Sequence, residues 1–154
     1  MAGFVVVVAD SSVARLYTMA TRAGVLKPAQ ELHNPAAHLR TRDLGADRPA
    51  RAVNASSGVR HALESHQDLK QAADAKFAKQ VMAAVAKAAN GRGEQDIVLV
   101  GGARLLGQYR QLLPAALRAR IAAQVPRNLV KAPLADVTQR VRGALRPAPV
   151  TAKR

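Results

Sequence analysis

Two short apolar runs constrain this chain most. Gly3 to Ala9 reads GFVVVVA and Asp96 to Val100 reads DIVLV. Each is too short for a helix and rich in β-branched side chains, which suit a pleated strand. Neither alternates apolar with polar residues, so each is predicted to be a strand buried on both faces. Strands of that kind lie inside a sheet that helices cover on both sides, which makes the chain an α/β protein before any other element is assigned.

The remaining elements arrange themselves around these two. Asp10-Ser11-Ser12 is a turn, and Val13 to Ala20 alternates as a second strand joined to the first by a short hairpin. Thr21 to Gly24 turns again, and Val25 to His33 reads as a third strand, with Pro28 a poor fit in its first half. Asn34 to His66 reads as a long functional loop, far longer than the usual connection in a compact domain. Ser65 to Asp68 has the spacing of a helix cap. Leu69, Ala73, Phe77, Val81, Ala84, Val85 and Ala88 then form one apolar helix face that stops at Asn90-Gly91.

Gly101-Gly102 after the second run permits a tight turn into a helix from Ala103 to about Leu112. Pro114 starts another through about Val125. Asn128 to Ala132 is a weak last strand, and Leu134 to Leu145 is a last amphipathic helix. The predicted fold is a mixed five-stranded sheet, an antiparallel three-strand meander followed by parallel crossovers, with helices on both faces. Residues 1–145 form one domain in this reading. The tail 146–154, RPAPVTAKR, is basic, Pro-rich and predicted to be disordered.

Charge narrows the partners. The net charge is +14 and its distribution is one-sided: Met1 to Ala103 carries 13 basic and 9 acidic residues, whereas Arg104 to Arg154 carries 11 basic and 1 acidic. Such an excess attracts polyanions, nucleic acid being the commonest and anionic lipid the next candidate. Aromatic residues are only 3% of the chain, which leaves no platform for stacking bases. The absence of Cys excludes disulfides, a thiolate nucleophile and zinc-thiolate sites. No basic leader precedes the run Phe4 to Ala9, which is itself too short for a signal segment, and no stretch has the length of a membrane span. A soluble, cytoplasmic protein is the expectation.

Four segments, in order and together, resemble the bacterial host-attachment family, whose members are described as required for attachment to host cells: FVVVVADSSVARLY, ELHNPAAHLRTRDLGADRPAR, SSGVRHALESHQD and DIVLVGGARLLGQYRQLLPAALRARI. That family is in turn similar to the middle domain of archaeal and eukaryotic release factors, a topology shared with ribonuclease H-like folds. In release factors the loop after the third strand carries Gly-Gly-Gln and enters the peptidyl-transferase centre. Here that loop holds no Gly-Gly-Gln, and Gly107-Gln108 falls after the fourth strand. The resemblance therefore implies binding to the ribosome, rRNA or tRNA, with host attachment as the alternative role, or hydrolysis of a peptidyl-tRNA ester.

Individual residues carry these expectations. Arg40, Arg42, Arg48, Arg51 and Arg60 can make bidentate bonds to phosphate, or pair within a solvated loop with Asp43 and Asp47. Arg104, Arg110, Arg118 and Arg120 are candidates for a basic stripe along a nucleic-acid backbone, against the plainer reading of a solvated helix face. His38, His61 and His66 with Asp43 or Glu64 can build a metal or acid-base centre. Their spacing matches no zinc pattern, ordinary hydrogen bonding accounts for them as well, and no metal or cofactor is expected. His61, Glu64 and Asp43 are the candidates should a hydrolase operate. Gly101 and Gly102 can offer backbone N–H groups to a phosphate or simply form a tight turn. Asp10 ends the first strand where a ribonuclease H-like nuclease keeps a metal ligand, but too few acids accompany it and a turn role is simpler.

Overall fold

The computed structural model describes the backbone of residues 3–38, 55–91 and 95–146, and side chains over 3–36, 68–91 and 95–146. Strands β1 (Phe4–Ala9), β2 (Val13–Met19) and β3 (Lys27–His33) are followed by a 3-10 turn at Pro35–His38 and helix α1 (Ala55–Gly91). Then come β4 (Asp96–Val100), α2 (Ala103–Leu112), the single turn α3 (Ala115–Arg118), β5 (Ile121–Val125) and α4 (Leu134–Leu145). The sheet is mixed, five-stranded and open, in the order β3-β2-β1-β4-β5.

β1 occupies the centre because its side chains are apolar on both faces. It pairs antiparallel with β2, Val6 opposite Tyr17, and parallel with β4, Val6 opposite Val98. Val5, Val7 and Ala9 point to one face and pack with Ile97, Leu99 and the buried residues of α1 and α2, among them Phe77, Val81, Val85 and Leu106. Phe4, Val6 and Val8 point to the other, where Val98 and Val100 meet Val137, Val141 and Leu145 of α4. The two faces are thus covered by different helices, as the continuous apolar runs require.

Pro28 lies in β3, an edge strand whose residues are nearly all exposed, beside a register shift at Leu16/Tyr17. A residue with no N–H is tolerated there because the outer side of an edge strand needs no ladder partner. Arginines fasten α4 and the segment that leads into it to the meander. Arg15 donates to the carbonyl of Val130 (2.7 Å), Arg22 to that of Leu145 (2.6 Å) and Arg142 to that of Gly24 (2.9 Å).

Three expectations are corrected. α1 begins at Ala55, so Ser65 to Asp68 lies inside the helix and residues 55–66 belong to α1 and not to a loop. Leu69, placed on the apolar face, is 54% exposed, and among the described side chains of α1 the first buried one is Phe77. The segment Ile121–Val125, expected to be helical, is β5, while Asn128 to Ala132 is not a strand. Its Ala-rich composition favours helix, but β4 would otherwise present an unpaired backbone edge. Pairing Val98 with Ala123 and Val100 with Val125 satisfies it.

Leu99 is fully buried in β4. Leu99→Ala is expected to lower unfolding free energy by about 2–5 kcal/mol in urea titrations, whereas Gln30→Ala on exposed β3 should stay within about 0.5 kcal/mol.

Candidate functional site at the carboxyl ends of the strands

β1 and β4 end side by side, and the residues just past them build a polar groove. At the end of β1, Asp10 closes the hairpin with one carboxylate oxygen. Oδ1 accepts from the Ser12 N–H (2.7 Å), the Ser12 hydroxyl (2.7 Å) and the Val13 N–H (2.9 Å). Partial burial works against the charge. The bonds from Ser12 and Val13, with another from the Asn128 side chain, outweigh it and hold the carboxyl below its ordinary value of 3.8. The turn reading of Asp10 thus has a defined physical content.

At the end of β4, Gly101 lies so close to β1 that a Cβ would sit 3.0 Å from the Ala9 carbonyl oxygen. A Cβ on Gly102 would meet nothing within 4 Å. Gly102 is the N-cap of α2 and supplies no side-chain acceptor to its first turn. The helix ladder opens with the Leu106 N–H donating to Gly102 O (2.9 Å), so the N–H groups of Ala103, Arg104 and Leu105 have no acceptor within the helix.

Between α1 and α2 these ends frame a groove of about 850 Å³, lined by Asp10, Asp74, Gly102, Arg104, Gln108 and Tyr109 among others. Tyr109 is fully buried and, among the described residues, its hydroxyl has no hydrogen-bond partner. Burial, and then the charge of Asp10, raise its pKa well above the usual tyrosine value, so the hydroxyl stays protonated. Asn34, itself buried, ties the groove wall together: its Nδ2 donates to the Ser11 carbonyl and to Asp74 Oδ1, both at 2.9 Å. Tyr109, Asp74 and Asn34 escaped the sequence reading, because only three-dimensional packing brings these three together.

The candidates named from sequence are dispersed. Arg40, Arg42, Asp43, Arg48 and Arg51 lie outside the described residues. Arg60, His61, Glu64 and His66 are on the helical backbone of α1, and His38 ends the 3-10 turn. Gly102 and Arg104 meet at the groove, and Gly101 is buried beside it against β1. Arg110 donates to the side chain of Gln124 on β5, away from it. Arg118 is exposed at the opposite end of the sheet, separated by the length of α2, about 15 Å.

Arg120 is engaged inside the fold. Its guanidinium bonds to the Ala89 and Gln95 carbonyls and to Asn90 Oδ1, joining the end of α1 to the start of β4. Arg104 and Arg118 therefore stand at two ends of the molecule. Among the described residues, no cluster of three or more His, Cys, Asp or Glu is placed to hold a metal.

A family model described as "Protein required for attachment to host cells" matches residues 5–141. No curated protein matches the chain.

Two substitutions test this geometry. The folded-state pKa of Asp10 is depressed, so its ionised form stabilises the fold above the ordinary value of 3.8, and that stability is lost as pH falls through the lowered folded value. Asp10→Asn should be about 1 kcal/mol less stable than wild type at neutral pH, part-exposure screening the larger value of a buried site. Urea unfolding at successively lower pH should show that gap closing. Arg120→Ala strands two carbonyls and should cost about 1–3 kcal/mol by the same measurement.

Proposed function

The chain belongs to the host-attachment family, and we propose that it serves attachment to host cells as a binding protein whose cationic surface engages a polyanion. The observation that carries this reading is the family match over residues 5–141, which runs from β1 into α4. The surface supplies a means. Arg104, Arg118, Arg127, Lys131 and Arg140 are all exposed, and among the described residues none of them has a carboxylate within salt-bridge distance. Cations left unpaired in this way raise the rate and affinity of encounter with a polyanion and make both salt-dependent.

A second reading keeps the same surface and changes the partner: an RNA- or ribosome-associated factor of release-factor middle-domain topology that lacks Gly-Gly-Gln. It is supported by the charge asymmetry, 11 basic residues against 1 acidic from Arg104 onward, and by the order of three meander strands, a helix and a parallel strand ending in Gly101-Gly102. In that reading Arg40, Arg42, Arg48, Arg51 and Arg60 add phosphate contacts to those of Arg104, Arg110 and Arg118. Among the described residues, no helix is long and apolar enough to cross a membrane.

The test separates the two. A deletion strain should lose attachment to host cells, and wild type should restore it while an Arg104→Glu/Arg118→Glu/Arg127→Glu variant should not. Full restoration by the charge-reversed variant rejects the cationic surface as the means. Unimpaired attachment in the deletion strain, together with salt-sensitive co-sedimentation with ribosomes, replaces the first reading by the second. Removing one phosphate-binding cation from an RNA complex should flatten the plot of log K against log salt by roughly 0.7–0.9.

A further inference from the structure

We propose that the groove between α1 and α2 is a binding site for a ribose phosphate unit, with the phosphate on the first turn of α2 and the sugar hydroxyls on the carboxylate side. This goes beyond polyanion binding by the outer surface and does not depend on it. Three features converge. The first is the uncapped start of α2, a helix of 10 residues, where three backbone N–H groups lack a helix acceptor and the space over Gly102 is open. Arg104 stands beside it, and a dianionic phosphate suits both the N–H groups and the guanidinium.

The second is the Tyr109 hydroxyl, fully buried in the wall of the same groove and without a hydrogen-bond partner among the described residues. An orphan buried donor of this kind is costly unless an acceptor completes it, and a ligand oxygen can be that acceptor. The third is the pair of acids, Asp10 and Asp74, on the groove's other walls. Two carboxylates oppose a ligand that is anionic throughout. They favour one that is anionic at one end and carries hydroxyl donors at the other, the role an acid plays toward a ribose hydroxyl in dinucleotide sites.

A volume of about 850 Å³ suits a ligand of nucleotide size. The aromatic rings of the groove, Tyr109 and Phe77, are buried, at 0% and 3% exposure, so no ring is open to stack a base. Recognition therefore reads sugar and phosphate and is indifferent to the base.

Calorimetric titration of the full chain tests this with ribose 5-phosphate, AMP, UMP, ribose and inorganic phosphate. Ribose 5-phosphate should bind saturably, AMP and UMP within about threefold of each other, and ribose and phosphate alone each at least about tenfold more weakly. Gly102→Asp places a carboxylate over the open N–H groups in a position already suited to an N-cap. It should abolish binding without lowering Tm. Tyr109→Phe should weaken binding severalfold while leaving stability equal or higher.

No saturable binding by about 10 mM ligand, or equal affinity in wild type and Gly102→Asp, overturns the site. Equal affinity for phosphate and ribose 5-phosphate overturns its sugar half. Displacement of AMP by a 5′-phosphorylated RNA oligomer, but not by its 5′-hydroxyl form, marks an RNA end as the source. Saturable AMP binding that neither oligomer displaces marks a free nucleotide.

Discussion

β1 is buried along its whole length, with Val6 and Val7 at 0% exposure. Backbone groups so placed must be hydrogen-bonded within the protein, so the strand needs a neighbour on each edge and a covering layer on each face. β2 and β4 meet the first demand. α1 and α2 on one face and α4 on the other meet the second. β5 follows from the same requirement one strand further out, where the edge of β4 would otherwise be left bare next to buried side chains.

The groove is a by-product of that arrangement. Parallel pairing of β1 with β4 brings both strands to an end on the same side, so the turn residues Asp10 and Gly101-Gly102 become neighbours although about ninety residues of chain separate them. Close packing of β4 on β1 favours glycine at 101, because a Cβ would sit 3.0 Å from the Ala9 carbonyl oxygen and the backbone would have to give way. At 102 packing leaves open space at the mouth of an uncapped helix, so the backbone there is accessible from outside.

Elements with strong local patterns were legible from the residues. The all-apolar runs of β1 and β4, the alternation in β2, and the periodic α2 and α4 needed no tertiary information. β5 was not legible because AALRARIAAQV carries helix-favouring residues throughout, and only the exposed edge of β4 overrides that preference. The start of α1 is misplaced by sequence because Ser65 to Asp68 imitates a cap inside the helix, and Leu69 proves to be on the solvent side. Of the groove, Gly101-Gly102 and Asp10 announced themselves as turn residues. Tyr109 and Asp74 carry no local signal, and Asn34 stands out only as the first residue of the long connection, since the bond from Asn34 to Asp74 joins chain segments forty residues apart.

The arginines show how a chain this basic can use its cations twice. Arg15, Arg22, Arg120 and Arg142 all donate to main-chain carbonyls, and among the described residues only Arg15 of these also approaches an acid, Glu31 at 3.6 Å. A guanidinium that bonds to a carbonyl keeps its full charge, whereas one that pairs with a carboxylate is neutralised. Stitching α4 and α1 to the sheet through carbonyls therefore adds structure without subtracting from the field that a polyanion would meet. Because Arg is effectively always protonated, neither the stitching nor the field fades across physiological pH. Salt concentration, acting on the exposed cations and hardly on the engaged ones, is then the variable that separates the two roles.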